Sequence, residues 1–270
     1  MPEIVEVETI KNDLIKSDVL SNKIINVEIF ATSLINSSKD DFIKKIKNKE
    51  IKDILRIGKY LIFDLGDLYL TIHLKMTGHI FLKNKTYHRK KHDHIIFHLD
   101  SNKKLIYFDP RRFGSISLKK ELSFLDKLGP DILSKKFNFK SFYKDLKLKK
   151  QKIKALLLDQ SFIAGLGNIY ADEALFLAKI NPEKLPSQLN PKKAQELFNS
   201  IKIVIKKAIK NGGTSLGTGR SNFSSIDEVF GLNQNHLLIH TKKTCPKCKR
   251  DVKKIKINQR TSHFCKNCQK

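Results

Sequence analysis

The chain has 270 residues, 40% of them hydrophobic, which is enough to build a buried core and excludes a disordered tail. It has no run of about 20 apolar residues, and its start is acidic, which excludes a membrane span and a secretory signal and favours a cytoplasmic protein. The net charge of +26 favours nucleic acid as a partner first and an acidic membrane surface second. All but seven of the 53 basic residues are lysine, so part of this charge reflects composition and does not by itself prove DNA binding.

The first half of the chain changes from one helix to a series of strands. Apolar residues recur at helical spacing and predict a helix over residues 3–16, namely Ile4, Val7, Ile10 and Leu14. From about residue 24 to 118, short β-rich runs between turn residues predict an antiparallel β-sandwich or barrel, interrupted by one helix near 40–47. The predicted strands are Ile24–Phe30, Tyr60–Leu65, Tyr69–Leu74, His94–Leu99 and Lys104–Phe108.

Beyond a boundary at Leu128–Asp131 the pattern becomes helical. Helices are predicted over Lys152–Asp159, Ile169–Lys179 and Pro191–Lys210, and the Gly-, Ser- and Asn-rich residues 214–235 are typical of a loop. The prediction is therefore an α+β protein. It has an N-terminal antiparallel β-sandwich with flanking helices over 1–130, a helical domain over 131–235 and a cysteine-rich unit over 236–270.

All four cysteines follow residue 244, in two Cys-x2-Cys pairs. This spacing is typical of a tetrahedral four-thiolate zinc site on a β-hairpin, formed by Cys245, Cys248, Cys265 and Cys268. Two disulfides are the alternative, which the lack of a secretion signal disfavours. Four thiolates leave no open position for water, so one structural zinc ion is predicted rather than a catalytic one.

The N-terminus has the residues for nucleophilic chemistry. A small residue at position 2 allows removal of Met1, and Pro2 then carries a free secondary amine. An α-amino group has a pKa of about 8, so part of it is neutral and nucleophilic at physiological pH. Its attack on a sugar C1′ gives an iminium, which makes the C2′ proton acidic. Glu3 and Glu6 are three residues apart, on one face of the first helical turn, where a carboxyl can transfer protons. Pro followed by Glu is also ordinary helix-start chemistry, so this motif alone is weak.

Further short segments resemble, in order, those of the formamidopyrimidine-DNA glycosylases, the Fpg or MutM family. They are residues 1–9, Arg56–Leu61, His73–Gly78, Lys91–His94, Asp109–Gly114, Gly165–Tyr170 and Gln259–Thr261. The resemblance implies a bifunctional DNA glycosylase and abasic-site lyase of base-excision repair. Such an enzyme removes oxidised purines, 8-oxoguanine and formamidopyrimidines, from double-stranded DNA as a monomer. It also implies that the helical domain is a helix-two-turn-helix and that the last unit is a zinc finger.

The resemblance assigns catalytic roles to Pro2, Glu3, Glu6, Lys59 and Arg260. Pro2 is implied to form a Schiff base, and β,δ-elimination then nicks the strand with the help of Arg260 on the zinc hairpin. Lys59 lies in a predicted strand, where a solvated lysine is the alternative, but the resemblance places it in the lesion pocket. A desolvated lysine has a lowered pKa, which suits proton transfer.

The resemblance also implies that six side chains contact DNA, namely Met76, His92, Arg111, Phe113, Lys150 and Asn168. A base must leave the stack to be excised, and a thioether, a guanidinium and an aromatic ring suit the hole that it leaves. Core packing is the alternative for Met76 and Phe113, but both lie in turns beside glycine. Asn168 follows a Gly-x-Gly turn at a helix start, which suits either a phosphate or a helix N-cap.

The sequence departs from the family pattern in three places. The family usually has proline at the position of Val5 and glycine at that of Lys75. Over 216–240, Gly217–Phe223 replaces an Asp-Gly-Lys-Pro-Gly-Tyr-Phe-like loop, and His236–His240 stands where Tyr-Gly-Arg is usual. These changes leave the lesion preference open. Two alternatives remain: a Nei-type glycosylase for oxidised pyrimidines, and a non-catalytic zinc-finger protein that binds nucleic acid.

Overall fold

The computed structural model describes residues 2–217, 219 and 222–270. Met1, whose removal is expected, and three residues of the replaced loop, Thr218, Arg220 and Ser221, lie outside them. The chain forms two compact units, Met1–Asp126 with Asn211–Gln234, and Lys127–Lys210 with Asn235–Lys270. We refer to them as the first and second unit.

The first unit contains a two-sheet sandwich. Its elements are α1 (Ile4–Lys16), β1 (Lys23–Ile29), α2 (Lys39–Ile46), β2 (Lys49–Glu50), β3 (Asp53–Ile57), β4 (Tyr60–Asp64), β5 (Tyr69–His73), β6 (His79–Asn84), β7 (Asp93–Leu99), β8 (Lys103–Phe108) and β9 (Ser115–Lys119). One sheet has the order β2-β1-β7-β8-β6 and the other β3-β4-β5-β9, with antiparallel pairing throughout. One buried apolar cluster takes side chains from both sheets and from α1, which confirms the predicted antiparallel sandwich.

The segment Asn211–Gln234 belongs to this first unit, whereas the sequence pattern predicts it within the helical domain. Phe223 and Ile226 are buried in the same apolar cluster as the sandwich. The Leu82 N–H on β6 donates to the Ile226 carbonyl at 3.0 Å. The segment is therefore held to the sandwich by two buried apolar side chains and by a hydrogen bond to the edge strand β6. Its Gly-, Ser- and Asn-rich composition predicts neither contact.

The second unit is helical and ends in a hairpin. Its elements are α3 (Phe139–Lys147), α4 (Ile153–Leu158), α5 (Asn168–Leu177), α6 (Pro191–Lys210), β10 (Lys253–Ile257) and β11 (Arg260–Phe264). The turns of 159–167 join α4 to α5, and β10 pairs antiparallel with β11. Within the described ranges, no helix is both long and apolar enough to cross a membrane.

Candidate active site

The start of α1 is buried together with the residues that precede it. Pro2 is buried, and the exposed fractions of Glu3 and Glu6 are 2% and 1%. The Glu3 N–H donates to Glu6 Oε2 at 2.8 Å, and the Thr214 N–H donates to Glu6 Oε1 at 2.9 Å. Both oxygens of the Glu6 carboxylate therefore accept main-chain donors, one from the residue after Pro2 and one from the segment that returns to the first unit.

Lys59 lies in a turn, so the prediction that it is part of a strand is wrong. Ile57 on β3 pairs with Tyr60 on β4, so Gly58 and Lys59 form a two-residue hairpin turn. Gly58 has a φ of +58°, which glycine adopts at no steric cost and which such turns require. Lys59 is nevertheless buried, so the turn points it into the protein.

Arg56 connects this turn to α1. Its Nε donates to Glu8 Oε2 at 2.6 Å, and its Nη1 donates to the Gly58 carbonyl at 2.8 Å. The Arg56 side chain is almost fully buried, so the ion pair is not weakened by solvent as a surface pair would be. One guanidinium thus links the helix that begins after Pro2 to the turn that carries Lys59.

His73 is neutral at physiological pH. Burial, followed by the charges of Lys75 and Lys59, lowers the pKa of His73 from 6.5 to about 3. Its Nδ1 accepts the Lys75 N–H at 3.0 Å. Lys75 has a φ of +51°, a left-handed conformation that explains why the family usually has glycine there.

Asp109 organises two loops that the sequence only suggested would converge. It is fully buried and accepts the Thr77 hydroxyl at 2.6 Å, beside Met76, and the Arg111 and Gly114 N–H groups at 3.2 and 2.9 Å. The Tyr107 hydroxyl donates to it at 3.3 Å. One carboxylate therefore holds the loop after β5 and the loop after β8.

The structure brings together Met76, Arg111 and Phe113, the residues inferred to fill the hole in DNA. Arg111 Nη1 is 3.5 Å from Met76 Sδ, and the guanidinium carbon is 4.4 Å from the Phe113 ring centroid. Met76 and Phe113 are 38% and 51% exposed. They are therefore not core residues, and this contiguous group of exposed side chains has the character of a binding surface.

His92 lies at the base of the same loops. Its carbonyl accepts the Asp109 N–H at 3.0 Å, and its ring is 6.0 Å from the Phe108 ring in an edge-on arrangement. It is half-buried and has a φ of +72°. Its position in the first unit is thus set by the strand end that leads to Arg111.

The second unit carries the other predicted DNA contacts. Gly167 is the N-cap of α5, so Asn168 is the first helical residue and not the cap. The Asn168 Nδ2 donates to the Thr261 carbonyl at 3.0 Å, next to Arg260 on β11. Arg260 is exposed, as is Lys150 in the segment before α4.

The four cysteines at the hairpin fit a zinc ion. Their sulfur atoms all lie within 4.8 Å of one another, and the Cys245–Cys268 and Cys248–Cys265 pairs are 3.9 and 3.4 Å apart. Tetrahedral Zn–S bonds of about 2.3 Å place sulfurs about 3.8 Å apart, and the four cysteines form no disulfide. The protein therefore holds one structural zinc ion.

Three buried charged groups in the site escaped the sequence analysis as functional residues. Arg56 and Asp109 were noted only as parts of motifs, and Asp172 was not singled out. The available signal for Asp172 is that it stands with Glu173 in α5, which is otherwise mostly apolar. Acidic residues in such a helix need buried partners, and the partners are distant in sequence.

Family models match the chain in three successive segments. The formamidopyrimidine-DNA glycosylase N-terminal domain matches residues 1–116, the formamidopyrimidine-DNA glycosylase H2TH domain matches 128–219, and the zinc finger found in FPG and IleRS matches 242–270. In this order they define a DNA glycosylase of the helix-two-turn-helix class.

Individual relatives match over the whole length. The formamidopyrimidine-DNA glycosylases of Desulforamulus reducens and Mycoplasma genitalium are 39% and 38% identical, cover 100% of this chain, and are themselves covered to 99% and 96%. The chain belongs to the formamidopyrimidine-DNA glycosylase family. Lactococcus lactis Fpg in complex with abasic-site DNA is a similar solved structure, with 38% identity, a TM-score of 0.90 and 99% coverage of both chains. A mutant of that protein with Fapy-dG DNA has a TM-score of 0.91 at the same identity and coverage.

Proposed function

We propose that this protein excises oxidised purines from duplex DNA and then cleaves the strand at the resulting abasic site. The observation that carries the proposal is the buried start of α1, where Pro2 is buried and the N–H of the adjacent Glu3 donates to the Glu6 carboxylate. The solved relatives bound to Fapy-dG and to abasic-site DNA support this substrate class. The Nei-type alternative is not favoured, because the similar curated proteins are formamidopyrimidine-DNA glycosylases.

The chemistry begins at the amine of Pro2. Its nitrogen lone pair attacks C1′, the bond to the damaged base breaks, and the sugar ring opens as its oxygen takes a proton. The product is an iminium between Pro2 and C1′. Loss of the C2′ proton expels the 3′ phosphate, loss of the C4′ proton expels the 5′ phosphate, and water then releases the protein.

Glu3 is the proposed acid for ring opening, because it is the carboxyl adjacent to Pro2 in a buried position. Lys59 is proposed to assist proton transfer from its buried turn. The sequence suggested the same work for Glu6. Since both Glu6 oxygens accept main-chain N–H groups, we assign Glu6 an anchoring role instead.

The group of Met76, Arg111 and Phe113 is proposed to occupy the void left by the everted nucleotide. A flexible thioether and an aromatic ring fill irregular space, and the guanidinium can hydrogen-bond the orphaned base. Their mutual contacts and exposure in the first unit support this role. His92 is proposed to contact the backbone near the same loops.

Lys150 and Asn168 are proposed to bind phosphates from the second unit, and Arg260 to stabilise the phosphate that leaves in the second elimination. The zinc ion holds the hairpin that carries Arg260. A rigid hairpin can keep a single guanidinium in the accurate position that such a role requires. The protein is proposed to act as a monomer. With duplex DNA as its substrate, the protein is proposed to act in the cytoplasm, associated with the nucleoid.

Borohydride trapping on a duplex with an abasic site tests the nucleophile. Chain whose intact mass shows that Met1 is removed is expected to form a covalent adduct, and peptide mapping is expected to locate it at Pro2. Chain that retains Met1 is the matched control and is expected to form none. An adduct on a lysine, or none from the processed chain, would exclude the mechanism. Comparing excision of 8-oxoguanine opposite C with that of thymine glycol separates the proposal from the Nei-type alternative.

A further inference from the structure

An acidic side chain in α5 has an unusual environment. Asp172 is 1% exposed and Lys154, on α4, is 0% exposed, yet the Lys154 Nζ donates to Asp172 Oδ1 at 2.5 Å. A buried charge is tolerated only when its remaining hydrogen-bonding capacity is also used. The other Asp172 oxygen must therefore have partners of its own.

Those partners come from the last segment of the chain. The Nδ1 atoms of His240 and His263 lie 2.7 and 3.1 Å from Asp172 Oδ2, and the His263 backbone N–H donates to the same oxygen at 3.2 Å. Burial alone would raise the pKa of Asp172. The hydrogen bonds from the two histidines and the charge of Lys154 outweigh it and lower that pKa well below its ordinary value.

The cluster supports two residues proposed to contact DNA. Lys154 also donates to the Asn168 carbonyl at 2.8 Å, so it holds the first residue of α5. Asp172 holds the β11 backbone at His263, three residues after Arg260 on the same strand. Asn168 in turn bonds the Thr261 carbonyl. The start of α5, where Asn168 lies, and the strand that carries Arg260 are thus held by the same cluster.

The cluster also accounts for part of the departure at His236–His240. Glu173 accepts the N–H groups of Leu238, Ile239 and His240 at 2.7 to 2.8 Å, which fixes the backbone of this segment on α5. The His240 ring then reaches the neighbouring Asp172. A histidine where the family usually has another residue is therefore an internal donor to a carboxylate.

We propose that Asp172 is a positioning residue that aligns Asn168 and Arg260 on the DNA backbone, with Lys154 and His240 acting through it. The inference rests on the function proposed above. Its consequence concerns the second elimination in particular, because only that step is assigned to Arg260. A displacement of about 1 Å in a reacting group can slow a step by up to about a hundredfold.

A metal ion is the competing explanation for this cluster, because the ligand atoms of Asp172, His240 and His263 lie within 4.8 Å of one another. Lys154 already supplies the positive charge that the carboxylate needs, and the histidine nitrogens lie at hydrogen-bond distance from it. We therefore expect native mass spectrometry to find one zinc ion per chain. Two zinc ions would overturn the proposal.

The decisive measurement is the ratio of δ- to β-elimination products from an abasic-site duplex, compared at equal total cleavage. This ratio does not depend on the fraction of active protein, so a mere loss of stability does not change it. We expect His240→Phe to lower the ratio at least about threefold and Asp172→Asn to lower it further. His240→Asn is expected to restore it, because its amide N–H replaces the imidazole donor. His236→Phe, the same substitution at an exposed site, is the matched control and is expected to have no effect.

An unchanged ratio in folded His240→Phe and Asp172→Asn would overturn the proposal, as would loss of zinc from His240→Phe, which would indicate a purely structural role. Failure of the proposed function is recognised separately. In that case the wild-type chain gives no δ-product, or Arg260→Gln leaves the ratio unchanged. The affinity for a duplex with a non-cleavable tetrahydrofuran site then tests the alignment of Asn168 and Arg260 on the DNA backbone, apart from the elimination chemistry. His240→Phe must weaken this affinity for the proposal to stand.

Discussion

The Thr77 hydroxyl donates a 2.6 Å hydrogen bond to Asp109, and this bond joins the loop that carries Met76 to the loop that carries Arg111 and Phe113. The two loops follow different strands in different sheets. Because Asp109 also accepts main-chain donors from its own loop, this carboxylate holds the two loops together, beside the contact between Arg111 and Met76.

Thr77→Val removes this bond without changing the size of the side chain. A hydrogen bond to a charged group contributes about 1.5 to 3 kcal/mol. The loss is expected to slow base excision from duplex DNA, because Met76 is no longer aligned with Arg111 and Phe113 for their proposed role in filling the void. Cleavage of a preformed abasic site is expected to suffer less, so the ratio of the two rates is the quantity to measure. Thr71→Val, which removes a bond from Thr71 to the Ser117 carbonyl in a sheet, is expected to leave that ratio unchanged.

Glu6→Gln tests whether Glu6 is an anchor or a proton carrier. Glutamine offers one acceptor oxygen for the two N–H groups that Glu6 satisfies, so one buried donor loses its partner, at a cost of about 1 to 3 kcal/mol. Urea unfolding is expected to show this loss, while the shape of the pH–rate profile is retained. A lost limb of the pH profile at full stability would instead assign proton transfer to Glu6. Glu28→Gln, on an exposed carboxylate paired with His98, is the control for stability.

Lys75→Gly is expected to stabilise the protein. The left-handed backbone of Lys75 costs about 1 kcal/mol for a residue with a side chain and little for glycine. After the entropy that glycine adds to the unfolded chain, a gain of about 0.5 kcal/mol is expected in urea unfolding. Lys85→Gly, at a residue outside the left-handed region, is expected to destabilise. Equal effects of the two changes would contradict this account.

The stability of the protein is expected to fall in acid partly because of His73. Its folded pKa is about 3, against 6.5 for an ordinary histidine, so the unfolded chain binds the extra proton between these pH values. The free energy of unfolding therefore decreases as pH falls from 6.5 toward 3, by up to about 1.4 kcal/mol per pH unit. His73→Asn keeps an acceptor for Lys75 and is expected to reduce this slope. His88→Asn, at an exposed position, is expected to leave it unchanged.

Removal of zinc is expected to abolish δ-elimination at an abasic site while releasing one metal ion per chain. Structural zinc contributes of order 10 kcal/mol to the folding of small units, so the hairpin that carries Arg260 should lose its structure. Abasic-site cleavage with chelator, and its recovery on adding zinc back, measure this. Full cleavage by the metal-free chain would show that the hairpin is dispensable.

The sequence predicted the elements whose burial is periodic. The helix Pro191–Lys210 was predicted with its observed bounds, because proline begins it and Asn-Gly-Gly follows it. The strands Asp53–Ile57, His79–Asn84 and Ser115–Lys119 were missed. Each carries charged or polar residues, and its position depends on pairing with strands that are distant in sequence. The helix Phe139–Lys147 was missed because its apolar residues, which lie on one face, are interspersed with lysines in a Lys-rich stretch of the sequence.

The sequence predicted the motif residues of the candidate site, but it did not predict the buried residues that hold them in place. Met76, Arg111 and Phe113, which are proposed to fill the void in DNA, lie together in the structure, and each of them stands in a conspicuous turn. The roles of Asp109 and Asp172 depend on contacts across up to 91 positions of the chain, which no local pattern reveals. Lys59 was placed in a strand because a two-residue turn scarcely interrupts the alternation on either side.

The bond between Thr214 and Glu6 spans 208 positions, and it sets the order in which the molecule can be completed during synthesis. The sandwich leaves the ribosome first, but its last segment is translated only after the helices of the second unit. At roughly 5 to 20 residues per second, the nascent sandwich waits about 4 to 17 seconds for that segment to begin. Until then Glu6 lacks the hydrogen bond from Thr214, and the strand edge at Leu82 is uncovered. A truncated chain that ends before Asn211 would therefore leave one oxygen of the Glu6 carboxylate without this donor and expose a strand edge prone to aggregation.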